Sequence, residues 1–281
     1  MIGIIGGTGL YRMSDLRITE ERSMNTPFGQ PSSALMLGTL GDRPVAFLAR
    51  HGTGHELTPS EINFRANIWA LKTTGVRTVI GVSAVGSLRQ ALEPGDLVLP
   101  AQYLDVTRGQ RVGSFFGGGL VAHVSTARPS CPAIAAEIAS AAQSLGYRLH
   151  TDKNYACVEG PRLGTRAESF MLRGAGADLV GMTNVPEAFL ACEAQMSYCT
   201  IALVTDYDCW QEDPSQHVTL EVALDLFARN LQRVQKLLAE VVRTHREDDA
   251  RPSRHLLSKA LVTPRERMTP AQRELVELLL R

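Results

Sequence analysis

Apolar, strand-favouring runs alternate with segments of helical period almost to residue 250. Residues 2–5 read as a first strand, followed at once by Gly6-Gly7-Thr8-Gly9. A second strand, 45–48, ends at Ala49-Arg50-His51. Thr58-Pro59-Ser60-Glu61 predicts a helix start, with Thr58 as N-cap, Pro59 at the first helical position and Glu61 completing a capping box. That helix continues over 63–74 and stops at Gly75. Residues 76–82 form a β-branched buried strand that opens into a loop over 83–87. Further strands are expected at 97–99, 155–158 and 178–182, and helices at 132–145 and 165–173. Asn184 is placed to cap a helix running through 187–194. The run 197–206 reads as a buried strand ending on Asp206 and Asp208, which at i and i+2 share one side of an extended chain. A long helix (220–242), a flexible polar connector (245–253) and a last amphipathic helix (269–280) complete the series. This alternation argues for a single α/β domain over 1–281 with a mostly parallel or mixed sheet and a helical tail from about 253.

Composition narrows the function classes. The chain has 281 residues, 44% of them hydrophobic, enough for a sizeable core. Its 29 basic and 29 acidic residues cancel, so no global basic field exists and nucleic acid is not expected as a partner. The N-terminal stretch does not read as a signal peptide, and no apolar run approaches the ~20 residues of a membrane helix. The five cysteines have no CxxC or Cys/His ligand spacing. They are expected to be reduced core residues of a cytoplasmic protein, with no metal site.

The chemistry gathers at strand ends, where α/β sheets bind small molecules. Gly6, Gly7 and Gly9 let backbone amides approach an anion, and Thr8 adds a hydroxyl. Arg50-His51 offers a guanidinium suited to phosphate and an imidazole beside it. Ser83-Ala84 supplies small residues, and Met182-Thr183 a soft apolar face and a hydroxyl. Thr205-Asp206-Tyr207-Asp208 supplies acids. Each has an ordinary explanation alone; together they describe an anion pocket beside one or two carboxylates.

The motifs IIGGTGL (4–10), LARHG (48–52), NIWALK (67–72), EGPR (159–162), RAES (166–169), MTNVPE (182–187) and TDYDCW (205–210) resemble the trimeric purine nucleoside phosphorylase family, and within it the enzymes acting on 5′-methylthioadenosine. The likeness runs from residue 3 to about 240. It implies a mixed, partly barrel-like β-sheet wrapped by helices, a homotrimer with sites near subunit interfaces, and no metal or organic cofactor. The implied reaction is phosphorolysis of 5′-methylthioadenosine to adenine and 5-methylthioribose 1-phosphate, with inorganic phosphate as co-substrate. By resemblance, phosphate is held by Thr8, Arg50, His51, Ser83, the Ala84 amide and Thr183. Met182 underlies the ribose, Asp206 faces the purine N7 and Asp208 the 6-amino edge, with Thr205 beside them. His123 and the C-terminal Leu279 and Leu280 become candidates to close a neighbour's 5′ pocket.

The chain departs from that pattern in places. Leu163 and Gly164 stand where relatives often show Phe and Ser, Ser83 replaces the commoner Thr, and His217 and Thr219 make the segment near the 5′ substituent more polar. The alternatives left open are a phosphorylase for other 5′-modified 5′-deoxyadenosines or for 6-oxopurine nucleosides. More distant are a dinucleotide-dependent oxidoreductase using Gly3, Gly6 and Gly9, and a non-catalytic nucleoside-binding homologue.

Overall fold

The computed structural model describes every residue except Arg12, Ser14 and 213–218, and only the backbone of Thr8, Tyr11, Leu220 and Val222. His217 therefore lies outside the described residues. The strands are β1 (Ile2–Gly6), β2 (Leu16–Arg22), β3 (Leu35–Leu40), β4 (Arg43–Ala49), β5 (Thr78–Ser87), β6 (Leu97–Val106), β7 (Leu149–Val158), β8 (Leu179–Gly181) and β9 (Ser197–Asp206). The helices are α1 (Phe64–Thr73), α2 (Pro132–Ser144), α3 (Arg166–Gly174), α4 (Asn184–Glu193), α5 (Leu220–Thr244) and α6 (Pro270–Leu280).

One sheet holds all these strands in the order β2-β3-β4-β1-β5-β8-β7-β6-β9, and an additional β5–β9 pairing closes β5, β8, β7, β6 and β9 into a ring. This is the mixed, partly barrel-like sheet that the resemblance implies. β4, β1, β5 and β9 run parallel, so their C-terminal ends emerge on one side. β1 shows why its run is continuously apolar: Ile4 and Ile5 face opposite ways and enter different cores. Ile5 joins α1 and α4 through Ile68, Leu71, Leu190 and Ala191. Ile4 joins α2 and α5 through Ile134, Ile138, Leu237 and Val241.

Several boundaries differ from the expectation. The expected capping box at Thr58–Glu61 forms only in half: the Thr58 amide and hydroxyl both donate to Glu61 Oε2 (2.9 and 2.6 Å), while the Glu61 amide donates to Thr58 O (3.1 Å) and closes a turn. The helix begins at Phe64, where Asn63 Oδ1 accepts from the Ala66 amide. Residues 83–87 are not a loop: β5 continues through them because β9 pairs alongside as far as Gly86. Asn184 does not cap α4; its amide is buried and spent on side chains across the sheet. The 245–253 connector is not a flexible tether. His245 and Arg251 are buried against Glu137 at 2.6 Å each, and Arg254 against Glu247 at 2.7 Å. α6 packs on its own chain: Thr269 caps it with Gln272 in a capping box, and Leu279 is fully buried in the core shared with α1.

Candidate active site

β9 is buried along its whole length and delivers Asp206 at its end, opposite Gly86 of β5. A side chain at Gly86 would put its Cβ 2.9 Å from Asp206 Oδ1 and 3.3 Å from Asp208 Cβ, so the acids close over a position only glycine fills. Asp206 Oδ2 accepts from the Thr205 hydroxyl at 2.6 Å, and Oδ1 accepts from the Asp208 amide at 2.8 Å. Burial pushes the Asp206 carboxyl up to about 6, with the Asp208 charge adding to the rise against those two hydrogen bonds. A carboxyl tuned there holds a proton close to neutrality. Asp208 reaches the site differently from the expectation. Its φ of +53° turns the chain into the left-handed region, so the shared side of an extended strand does not apply. Thr205, taken as a substrate contact, is buried with its hydroxyl on Asp206.

The neighbouring strand ends meet at Arg50. Its amide donates to Gly6 O (2.9 Å), tying the end of β4 to the end of β1 and so placing Arg50-His51 beside Gly6-Gly7-Thr8. Thr8 itself begins a short 3-10 turn, Thr8–Tyr11. The Arg50 guanidinium is buried and bidentate to Glu187, Nε to Oε2 at 2.7 Å and Nη2 to Oε1 at 2.8 Å. Nη1 and Nη2 also donate to Val82 O and Ile5 O. Burial lowers its pKa, but the Glu187 charge and its hydrogen bonds together outweigh this and raise it. Arg50 is thus the cation of a neutral pair and not an isolated positive charge. Glu187 also accepts from Tyr198 Oη (2.8 Å), which accepts from Thr200 Oγ1 (2.9 Å) and Asn184 Nδ2 (3.1 Å). Asn184 Oδ1 in turn accepts from Ser83 Oγ at 3.2 Å. Ser83 and Arg50 are therefore two ends of one buried network. Ala84 is exposed beside it, and Thr183 is buried at the start of α4.

His51 corrects a second detail. Its Nδ1 lies 2.8 Å from Leu57 O, so Nδ1 carries the hydrogen and Nε2 of the neutral ring is an acceptor. Burial lowers its pKa to about 4, with Arg50, His55 and Arg111 adding repulsion. The ring stacks on His55 at 4.4 Å. The extra donor expected of this imidazole is absent in its neutral form.

Met182 precedes Thr183 and packs against Gly160, where an added Cβ would lie 2.5 Å from the Met182 sulfur. The loop behind it is held by Arg111, which pattern reading passed over. Arg111 and Glu159 pair at 2.9 Å with side chains only 2% and 9% exposed. Glu187 was missed as well, although an acid inside the apolar stretch 185–192 signals a buried partner. Arg111, in the polar loop 107–112, gives no such signal.

The remaining candidates surround an open side. Leu163 and Gly164 are exposed, and the Gly164 carbonyl accepts from Cys209 Sγ at 3.5 Å. Thr219 is exposed just before α5. His123 is exposed on a segment that bonds to the tail, its amide donating to Ala260 O at 2.8 Å. Leu279 is sealed in its own core and so cannot close a neighbour's pocket; Leu280 is partly buried, its carbonyl accepting from Gln195 Nε2 at 3.1 Å. Among the described residues no group of three or more His, Cys, Asp or Glu is placed to hold a metal ion, and no helix is long and apolar enough to cross a membrane.

Known proteins are similar to this chain in sequence and fold. The phosphorylase superfamily model matches residues 1–243. The chain is 46% identical to the S-methyl-5′-thioadenosine phosphorylase of Thermosynechococcus vestitus, covering 99% of this chain and 97% of that one. It is 52% identical to the Hyperthermus butylicus protein of the same name over 86% and 87% of the two chains. Among solved structures, a methylthioadenosine phosphorylase from an antarctic soil metagenomic library superposes with a TM-score of 0.93 at 44% identity, covering 100% and 98%. The Schistosoma mansoni methylthioadenosine phosphorylase in complex with adenine gives 0.87 at 35% identity, covering 92% and 98%.

Proposed function

Since the chain belongs to the phosphorylase superfamily, and within it to the S-methyl-5′-thioadenosine phosphorylases, we propose that it cleaves 5′-methylthioadenosine with inorganic phosphate, releasing adenine and 5-methylthioribose 1-phosphate. The observation that carries this reading is Asp206, a buried acid lifted to about 6 at the end of β9, beside the parallel strand β5 that bears Ser83. In the reaction the C1′–N9 bond breaks and its electron pair leaves with the purine. The Asp206 proton goes to N7, so the base departs neutral. A phosphate oxygen forms the new bond to C1′ as the sugar passes through oxocarbenium character. The ionised Asp206 accepts from the 6-amino group, which favours adenine over a 6-oxo base.

Phosphate is taken by donors from Thr8, Ser83, the Ala84 amide and Thr183, with Arg50 behind them, while neutral His51 meets it through Nε2 as the acceptor of a phosphate O–H. Because the Arg50 charge is already balanced by Glu187, this subsite works by directed donors more than by net charge. Met182 underlies the ribose, and Asp208, Leu163, Gly164, Thr205 and Thr219 line or support the nucleoside side. No cofactor takes part. Residues 1–281 act as one phosphorylase domain carrying its helical tail, in a cytoplasmic homotrimer in which His123 reaches a neighbour's 5′ pocket. The test is parallel phosphorolysis of 5′-methylthioadenosine, adenosine, 5′-methylthioinosine and inosine. Adenine release that requires phosphate and is fastest from 5′-methylthioadenosine supports the reading; phosphate-independent release, or preference for the inosines, overturns it.

A further inference from the structure

Arg111 spends every donor it has. A guanidinium offers five N–H groups. Nε donates to Glu159 Oε1 (2.9 Å), Nη1 to Met182 O (2.6 Å) and Val185 O (2.7 Å), and Nη2 to Glu159 O (2.8 Å) and Val158 O (3.4 Å). None remains for a bound molecule. The two Nη1 bonds bracket Thr183 and Asn184: one guanidinium nitrogen fixes the carbonyl before them and the carbonyl after them. The same guanidinium fixes the end of β7, from which Gly160 packs onto the Met182 sulfur. Glu159 extends the knot, accepting from Ser60 Oγ (2.5 Å) in the turn after His51 and from the Arg108 amide (2.7 Å). Those bonds hold the Glu159 carboxyl below the usual carboxylate range despite its burial.

We propose that Arg111, locked by Glu159, is a positioning residue that sets the sugar and phosphate subsites together, by clamping the short segment that carries Met182 and Thr183. This rests on the reading above that Met182 faces the ribose and Thr183 the phosphate. The two side chains are adjacent on one clamped stretch, so loosening the clamp displaces both. A displacement of about 1 Å at a site can cost up to about 10²-fold. A clamp of this kind acts on both substrates at once, whereas a contact residue acts on one.

The test is steady-state kinetics of Arg111→Lys, with both substrates varied, alongside thermal melting. Lysine keeps the charge opposite Glu159 but offers three donors, not a planar fork of five. The expected result is a rise of about tenfold or more in KM for 5′-methylthioadenosine and for phosphate, by similar factors. A merely structural role would lower the active fraction and leave both KM values alone. Arg111→Ala adds a second reading: guanidinium ion at millimolar concentration should lower both KM values again by refilling the vacated site. Removing the cation leaves Glu159 unpaired, so if Arg111→Ala does not fold, the lysine variant decides alone. KM values within twofold of the parent for Arg111→Lys, a rise in only one of them, or a folded Arg111→Ala that guanidinium does not help, would overturn the proposal. A parent that does not consume 5′-methylthioadenosine overturns the functional reading and this one with it; an active parent with unaffected variants overturns this one alone.

Discussion

The two ends of the site are built by different means. On the phosphate side, Ser83, Asn184, Thr200, Tyr198, Glu187 and Arg50 form an unbroken buried chain of hydrogen bonds spanning β4, β5, α4 and β9. On the proposed base side, among the described residues the Asp206 carboxylate accepts only from its sequence neighbours Thr205 and Asp208, and Leu163 and Gly164 stand exposed. On the proposed assignment, the subsite for a small, invariant anion is held by four elements at once, and the acid that meets the larger, more variable nucleoside is held by residues adjacent to it in sequence. Buried networks gain rigidity at the risk of a large loss when one member is removed. Local arrangements tolerate change around them, but each remaining group must do more of the chemistry.

The largest effect should come from the sparse side. Asp206→Asn keeps the shape and removes the transferable proton, so turnover of 5′-methylthioadenosine should fall by about 10²–10⁴. The new N–H can donate to O6, so kcat/KM for 5′-methylthioadenosine relative to 5′-methylthioinosine should fall as well. An unchanged ratio would remove Asp206 from the base-reading role.

The dense side is tested by Glu187→Gln, which strands the Arg50 cation in the interior. Breaking one partner of a buried pair costs about 3–5 kcal/mol, read as a lower denaturation midpoint. If Arg50 backs the phosphate subsite, added phosphate should restore more stability to this variant than to the parent, because the anion replaces the missing charge. Equal stabilisation of both would detach Arg50 from that subsite.

A pH series sharpens the contrast. The folded-state value of Asp206, about 6, lies above its ordinary 3.8, so its contribution to stability is fully present below about pH 4 and is lost as pH rises through 6. The loss amounts to about 3 kcal/mol. Asp206→Asn should therefore melt higher than the parent at pH 8 but not at pH 4. On the proposed mechanism the protonated acid is the active form, so kcat/KM should carry a limb that falls above about pH 6 and that Asp206→Asn abolishes. A variant that keeps the limb would assign it to another group.

The smallest effect belongs to the open wall. Leu163→Phe should supply a ring for the purine to stack on, worth about 0.5–1.5 kcal/mol, or about two- to tenfold in nucleoside KM. The phosphate KM should not move. A phosphate KM that moved with it would mean the two sides are not separately built.

Strand ends were legible in the sequence because apolar runs stop abruptly at polar residues, as at Arg50, Met182-Thr183 and Asp206. Strand extents were not. The reach of β5 through 83–87 depends on β9, a partner more than a hundred residues away, and no local pattern records it. Charge pairing was equally hidden. Arg50 was visible as a cation, but its neutralisation by Glu187 is a tertiary fact. The supposed connector at 245–253 is rich in charges that read as solvated, whereas His245 and Arg251 are buried against Glu137 of α2. The Asp-x-Asp spacing pointed to two acids that do lie together, with the Asp208 amide on Asp206 Oδ1, but not by sharing one side of a strand, since Asp208 leaves the strand geometry.

Gly86 has a bearing on how natural variants of this chain should be judged. Alanine differs from glycine by one methyl group, and a change at the middle base of the codon is enough to produce it. A ranking by side-chain size or polarity would score Gly86→Ala among the mildest substitutions in the protein. Yet that methyl would sit 2.9 Å from Asp206 Oδ1 and 3.3 Å from Asp208 Cβ, displacing the carboxyl proposed to protonate the departing base. The residue is paired on both sides, with Val180 of β8 and Asp206 of β9, and the methyl would also meet Val180 Cγ1 at 3.1 Å. A carrier of this allele should therefore make protein that loses more activity than stability, a defect that abundance screens would understate and an activity screen would detect.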